Sequence, residues 1–159
     1  MFYIIDGTAP FFAAARFSKN ETINWSKVPF SHLESDCGVR PDVFDTLPRF
    51  FEQYIRNVSH LGYNTVTLDD VAHLVPFDFY PGCLQKKIES YQFLYERLFR
   101  IARNYDITVL LTSDIMFFND YIEKYTRNKA HLIVHLLAKS FRRIFKKYEC
   151  IRGIVVRLG

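Results

Sequence analysis

Four aspartates, a histidine and an arginine stand where chemistry is most easily assembled. Asp6 closes the apolar run FYIID, Asp69 and Asp70 close YNTVTL, and Asp114 closes ITVLLTS. His73 follows the Asp69-Asp70 pair closely, and Arg157 lies near the end of a fourth run, IRGIVVRL. A carboxylate accepts two hydrogen bonds in fixed geometry, so acids delivered by strand tips suit the hydroxyls of a ligand. A guanidinium among them either clamps a ligand or pairs with one of the aspartates. One acid after a strand is commonplace; three on the same side of a sheet form a candidate site.

The elements that must carry these groups alternate in type. Short runs at 2–6, 63–68, 107–112 and 151–158 read as strands, with β-branched Thr65, Val66 and Thr67 in the second. Between them, helical spacing places Leu47, Phe50, Phe51, Tyr54, Ile55, Val58 and Leu61 on one face. A second helix buries Phe93, Leu94, Leu98, Ile101, Ala102 and Tyr105. A third, from about Lys129 to Tyr148, carries Leu132, Ile133, Leu136, Leu137, Phe141, Ile144, Phe145 and Tyr148. Asp45 with Pro48 reads as the first helix start, Ser90 as the cap of the second, and Gly62 as the stop before the second strand. The order βαβαβαβ, with strands apolar on both faces, implies a parallel α/β sheet. Strand-to-helix connections are long (7–45, 71–89, 115–128) and helix-to-strand turns are short. In parallel folds the site lies at the strand C-terminal ends, where long loops gather.

Composition narrows the class. The chain has 159 residues, 16 Phe and 10 Tyr, and its 21 Lys and Arg exceed its 17 Asp and Glu for a net charge of +4. That excess is too mild to call for nucleic acid. No apolar run reaches transmembrane length and the start lacks a signal peptide's charged lead, so the reading is a cytoplasmic protein, with export open if the true N-terminus is missing. Cys37, Cys83 and Cys150 are widely spaced and read as reduced thiols. No cofactor or metal is expected. Asp6-Gly7-Thr8 is a poor phosphate loop, and His131 and His135 lack the Glu that a zinc-protease pattern needs, position 132 being Leu. A basic run on the last helix, Lys139, Arg142, Arg143, Lys146 and Lys147, leaves a second class open, an anionic surface, membrane or nucleic acid, bound by that helix.

The segment FFEQYIRNVSHLGYNTVTLDDV, followed by LFRIARNYDITVLLTSDIMF, resembles TIM-barrel glycoside hydrolases, most closely the second and third βα units of α-glucuronidase and β-hexosaminidase-like enzymes. The resemblance spans Leu47 to about Phe118. It implies the N-terminal half of a (β/α)8 barrel, a fold that takes ~250 residues when whole; the alternative is a small open doubly wound sheet. It also implies an oligosaccharide or glycoside substrate, a remaining barrel half as partner, and an acid/base carboxylate past Gly159. Asp6, Asp69, Asp70, His73, Asp114 and Arg157 would then line the substrate. Trp25 would do so too, with Phe77, Phe79, Tyr80, Phe117 and Phe118 as further flat faces for stacking on sugar rings. A non-catalytic carbohydrate-binding barrel is the third possibility.

Overall fold

The computed structural model describes residues 1–14, 27–114 and 119–157. Its centre is a four-stranded parallel sheet made of β1 (Ile4–Asp6), β4 (Thr65–Leu68), β5 (Thr108–Asp114) and β6 (Ile151–Arg157), in that spatial order. The remaining elements are α1 (Ala9–Ala14), the small hairpin β2 (Glu34–Ser35) and β3 (Gly38–Val39), α2 (Pro41–His60), α3 (Gly82–Asn104), α4 (Asp120–Thr126) and α5 (Ala130–Lys147). The α/β class and the parallel sheet are those expected from the alternating runs.

Strand alternation splits the sheet into two unlike faces. Val66, Leu68, Val109 and Leu111 point to the helices and are buried. The opposite face, set by the registers Asp6↔Thr67, Thr67↔Leu110, Thr112↔Val155 and Asp114↔Arg157, is only partly covered. On it Ile4 is 47% and Val155 38% exposed.

The helices that cover the first face differ in detail from the spacing argument. α2 starts at Pro41, after extended Arg40, so Pro48 lies inside the helix rather than at its start. A proline there cannot donate to the carbonyl four residues back. That carbonyl, Phe44 O, instead accepts from Arg97 of α3. Val43, Leu47, Phe51, Ile55 and Val58 are buried, each contributing about 1.5–3 kcal/mol, whereas Phe50 and Leu61 are exposed. α3 begins at Gly82, well before Ser90, whose hydroxyl oxygen accepts from Val39 N instead of capping a helix. Phe93 is exposed and the buried face runs through Ile88, Tyr91, Leu94, Tyr95, Leu98, Phe99 and Ala102. α5 buries only Leu136, Ser140 and Ile144, with Phe145 exposed. Gly62, at φ 86°, turns the chain into β4 as its type predicts.

Gly7 matters for a different reason. A Cβ there would lie 2.7 Å from Thr67 O and from side-chain carbons of Val66 and Leu68. Only glycine lets the chain leaving β1 lie this close to β4, with Gly7 N donating to Thr67 O at 2.9 Å.

Candidate functional site at the strand tips

Three of the predicted residues meet at the C-terminal ends of β4, β5 and β6. Arg157 Nη1 donates to Asp69 Oδ2 at 2.9 Å and Oδ1 at 3.1 Å, and its Nε donates to Asp114 Oδ1 at 2.9 Å. One planar guanidinium thus ties two strand-tip carboxylates together, a fork geometry that lysine cannot reproduce. The Asp114–Arg157 contact depends on a bulge. β6 pairs Ile151 with Val109 but Gly153 with Leu110, so one extra residue, Arg152, enters its ladder. The extra residue reverses the parity of everything after it and sets Arg157, rather than Val156, opposite Asp114.

Asp69 is the buried hub. Only 2% exposed, it also accepts from the Thr112 hydroxyl and, at 3.0 Å, from Lys27 N. Its own carbonyl accepts from the Tyr95 hydroxyl. Burial works against the Arg157 charge, but Asp69 and then Asp114 outweigh it and push the guanidinium pKa further up. Surrounded by donors and a fixed cation, Asp69 is built to accept hydrogen bonds. Asp6 sits on the neighbouring strand with a side chain 46% exposed. Its Oδ2 lies 3.2 Å from Lys27 Nζ, its Oδ1 accepts from Thr8 N, and its carbonyl accepts from the Tyr54 hydroxyl. Lys27 therefore bridges Asp6 and Asp69, one through its ammonium and the other through its amide. The solvent-facing rim of the cluster is Asp6 and Asp114.

Asp70 and His73 are placed otherwise than expected. Asp70 caps the 3-10 turn Val71–Leu74, accepting from His73 N at 3.1 Å and meeting His73 Nδ1 at 2.7 Å. Both are fully buried. The imidazole stacks on Phe30 at 3.6 Å and meets the edge of Tyr91 at 4.9 Å. His73 Nε2 is buried and has no hydrogen-bond partner among the described residues. This pair holds the turn after β4. The Asp69–Asp70 peptide bond is cis.

Trp25, Phe117 and Phe118 fall outside the described residues. The other loop aromatics pack on one another: Phe77 stacks with Phe79 at 5.1 Å, Phe79 stacks with Tyr125 at 4.2 Å, and Tyr80 receives a hydrogen bond from Asn119. Burial pushes the Tyr80 phenol up to about 12. Those flat faces are spent on loop packing. A cavity of about 520 Å³ lies between the Val71–Leu74 turn, α3 and α5, and among its lining residues is no member of the cluster. On the basic side of α5, Arg143 donates to Pro76 O and Lys147 pairs with Glu96 at 3.3 Å, so part of that charge is already engaged. His131 and His135 are exposed, and among the described residues no group of His, Cys, Asp and Glu is placed to hold a metal. Among the same residues no helix is long and apolar enough to cross a membrane.

The spacing argument passed over Thr112, Lys27 and Tyr54. Thr112 was within reach, since it lies two residues before Asp114 and strand alternation puts both on one face. Lys27 and Tyr54 reach the cluster only through tertiary packing. Compared with known proteins, the chain matches no family model, no curated protein and no solved structure.

Proposed function

We propose that this chain is a carbohydrate-active half-barrel whose strand-tip carboxylates receive sugar hydroxyls. The observation that carries the reading is the Asp69–Arg157–Asp114 network with Asp6 beside it, collected at the C-terminal ends of adjacent parallel strands. In (β/α)8 enzymes that end of the sheet holds the active site. Two features support the barrel reading. The strand order follows the chain without the reversal on which a doubly wound sheet is built. The face opposite the helices, which in a barrel would be the interior, is partly open.

In this reading Arg157 holds Asp69 and Asp114 correctly turned, while Asp6 and Asp114 present acceptors to a hydroxyl-rich ligand. Glycoside hydrolysis needs a paired proton donor and base or nucleophile. Asp69, locked by Arg157, Thr112 and Lys27, is an acceptor rather than a proton donor. We assign it to orienting the substrate and place the acid/base carboxylate in the complementary half of the barrel. The test is thermal melting of the 159-residue chain with a panel of neutral oligosaccharides and aryl glycosides. At ten times Kd a true ligand raises the melting temperature by roughly 3–6 °C. The shift survives added salt and is lost in Asp114→Asn. A panel that shifts nothing, or a shift that Asp114→Asn leaves unchanged, would overturn the proposal.

A further inference from the structure

Away from the strand tips, two thiols face each other. Cys37 lies in the turn between β2 and β3, Cys83 is the second residue of α3, and their sulfurs are 2.7 Å apart. Both side chains are exposed, whereas the third thiol, Cys150, is partly covered. The two thiols differ in environment. Cys83 stands in the first turn of a 23-residue helix, with its side chain open to solvent. Its Sγ also donates to Asp36 O at 3.3 Å in the thiol form. For Cys37, the hydrogen bond with Cys83 and then partial desolvation push the pKa up, with Lys86 opposing.

We propose that Cys37 and Cys83 are a thiol–disulfide exchange site that takes a small-molecule disulfide of the glutathione class as its oxidant. Cys83 gives its proton to solvent and its thiolate attacks one sulfur of that disulfide, whose S–S bond breaks and whose other half leaves as a thiolate with the electron pair. Cys37 then gives its proton to solvent and attacks Cys83 Sγ, forming the protein S–S bond and releasing the second small thiolate. Two protein thiols are oxidised and one small disulfide is reduced to two thiols.

The bond would fasten the β2–β3 turn to the start of α3. The fastened segment already packs there: Glu34 pairs with Lys87 at 2.7 Å and accepts from the Tyr91 hydroxyl, and Val39 N donates to Ser90. The same connection places Phe30 on His73 and Lys27 against Asp69. Oxidation therefore fastens the segment that carries Lys27 and Phe30, independently of what the cluster binds.

The experiment is titration of the full chain with mixtures of reduced and oxidised glutathione, alkylation of the remaining thiols, and intact and peptide mass spectrometry. The expected product has lost two hydrogens, carries a Cys37–Cys83 cross-link within one chain, and keeps Cys150 alkylated. Its melting temperature is roughly 5–15 °C above that of the reduced chain. Cys37→Ser stops at a mixed disulfide on Cys83, and Cys83→Ser forms no protein cross-link. A wild-type chain that stops at the mixed disulfide, cross-links between chains, or reacts first at Cys150 would overturn the proposal.

Discussion

Asp69 and Asp70 are neighbours in sequence, both are buried, and they belong to different layers of the molecule. Asp69 joins the strand-tip network of Arg157, Thr112, Lys27 and Asp114, whose rim faces solvent. Asp70 joins a dry layer in which His73, Phe30 and Tyr91 stack under the connection from β1. In the first layer a carboxylate holds a charge in place for something outside. In the second a carboxylate satisfies a turn and a ring that would otherwise be buried unpaired. Burial alone does not separate the two uses; the partners do.

Substitutions should sharpen that contrast, and the dry layer should be the more costly to disturb. Asp70→Ala removes the acceptor for both His73 N and Nδ1 where no water replaces it, and should cost about 3–5 kcal/mol in urea unfolding. If Arg157→Ala costs more than Asp70→Ala, the ranking of the layers is reversed. Arg157→Ala itself leaves Asp69 buried beside Thr112 and Lys27 N without its cation, and should cost about 2–4 kcal/mol. Arg157→Lys should recover little of this loss, because one ammonium cannot serve both carboxylates as the fork does.

Alkaline pH should strike the aromatic packing before the strand tips. Tyr80 titrates at about 12 in the folded chain against about 10 when unfolded, because burial disfavours its phenolate. The unfolded chain loses that proton first. The stability tied to the neutral phenol is therefore complete below pH 10 and falls as pH rises from 10 to about 12, by about 2 kcal/mol for this one group. Tyr91 and Tyr95, raised well above 10 by burial, push in the same direction. Tyr80→Phe should flatten part of this decline in denaturation curves taken across that range; an unchanged slope would remove Tyr80 from the account. The smallest effect belongs to Asp6→Asn. Its pairing with Lys27 is half exposed, so stability should stay within about 0.5 kcal/mol of wild type while ligand-induced stabilisation drops.

Much of the architecture is legible in the chain because it is written locally. The β-branched run Thr65 to Thr67, the stop at Gly62 and the spaced face of α2 report burial through short periods. The hairpin inside the first long connection was missed, although Ser35-Asp36-Cys37-Gly38 carries turn chemistry. The α3 start was missed because Ser90 looks like a cap, while its hydroxyl is used by Val39 from another element. Of the cluster, the acids at strand ends were visible, yet which carboxylate joins which layer was not. That depends on a turn capped by Asp70 and on a bulge at Arg152 that turns Arg157 toward Asp114. Gly7, rightly passed over as a phosphate loop, is a point of close strand contact that no local pattern announces.

The carbonyl of Phe44, orphaned by Pro48 and served by Arg97, has a consequence for how the chain reaches this structure. The first two turns of α2 are short one rung that no residue of α2 can supply. They complete their ladder only when α3 arrives, whereas the part after Pro48 can wind on its own. The Pro41 end of α2 is thereby the part of the helix that depends most on its partner helix. The start of α2 is then the place where amide hydrogens should exchange earliest, a frayed seam beside an otherwise tight pair of helices.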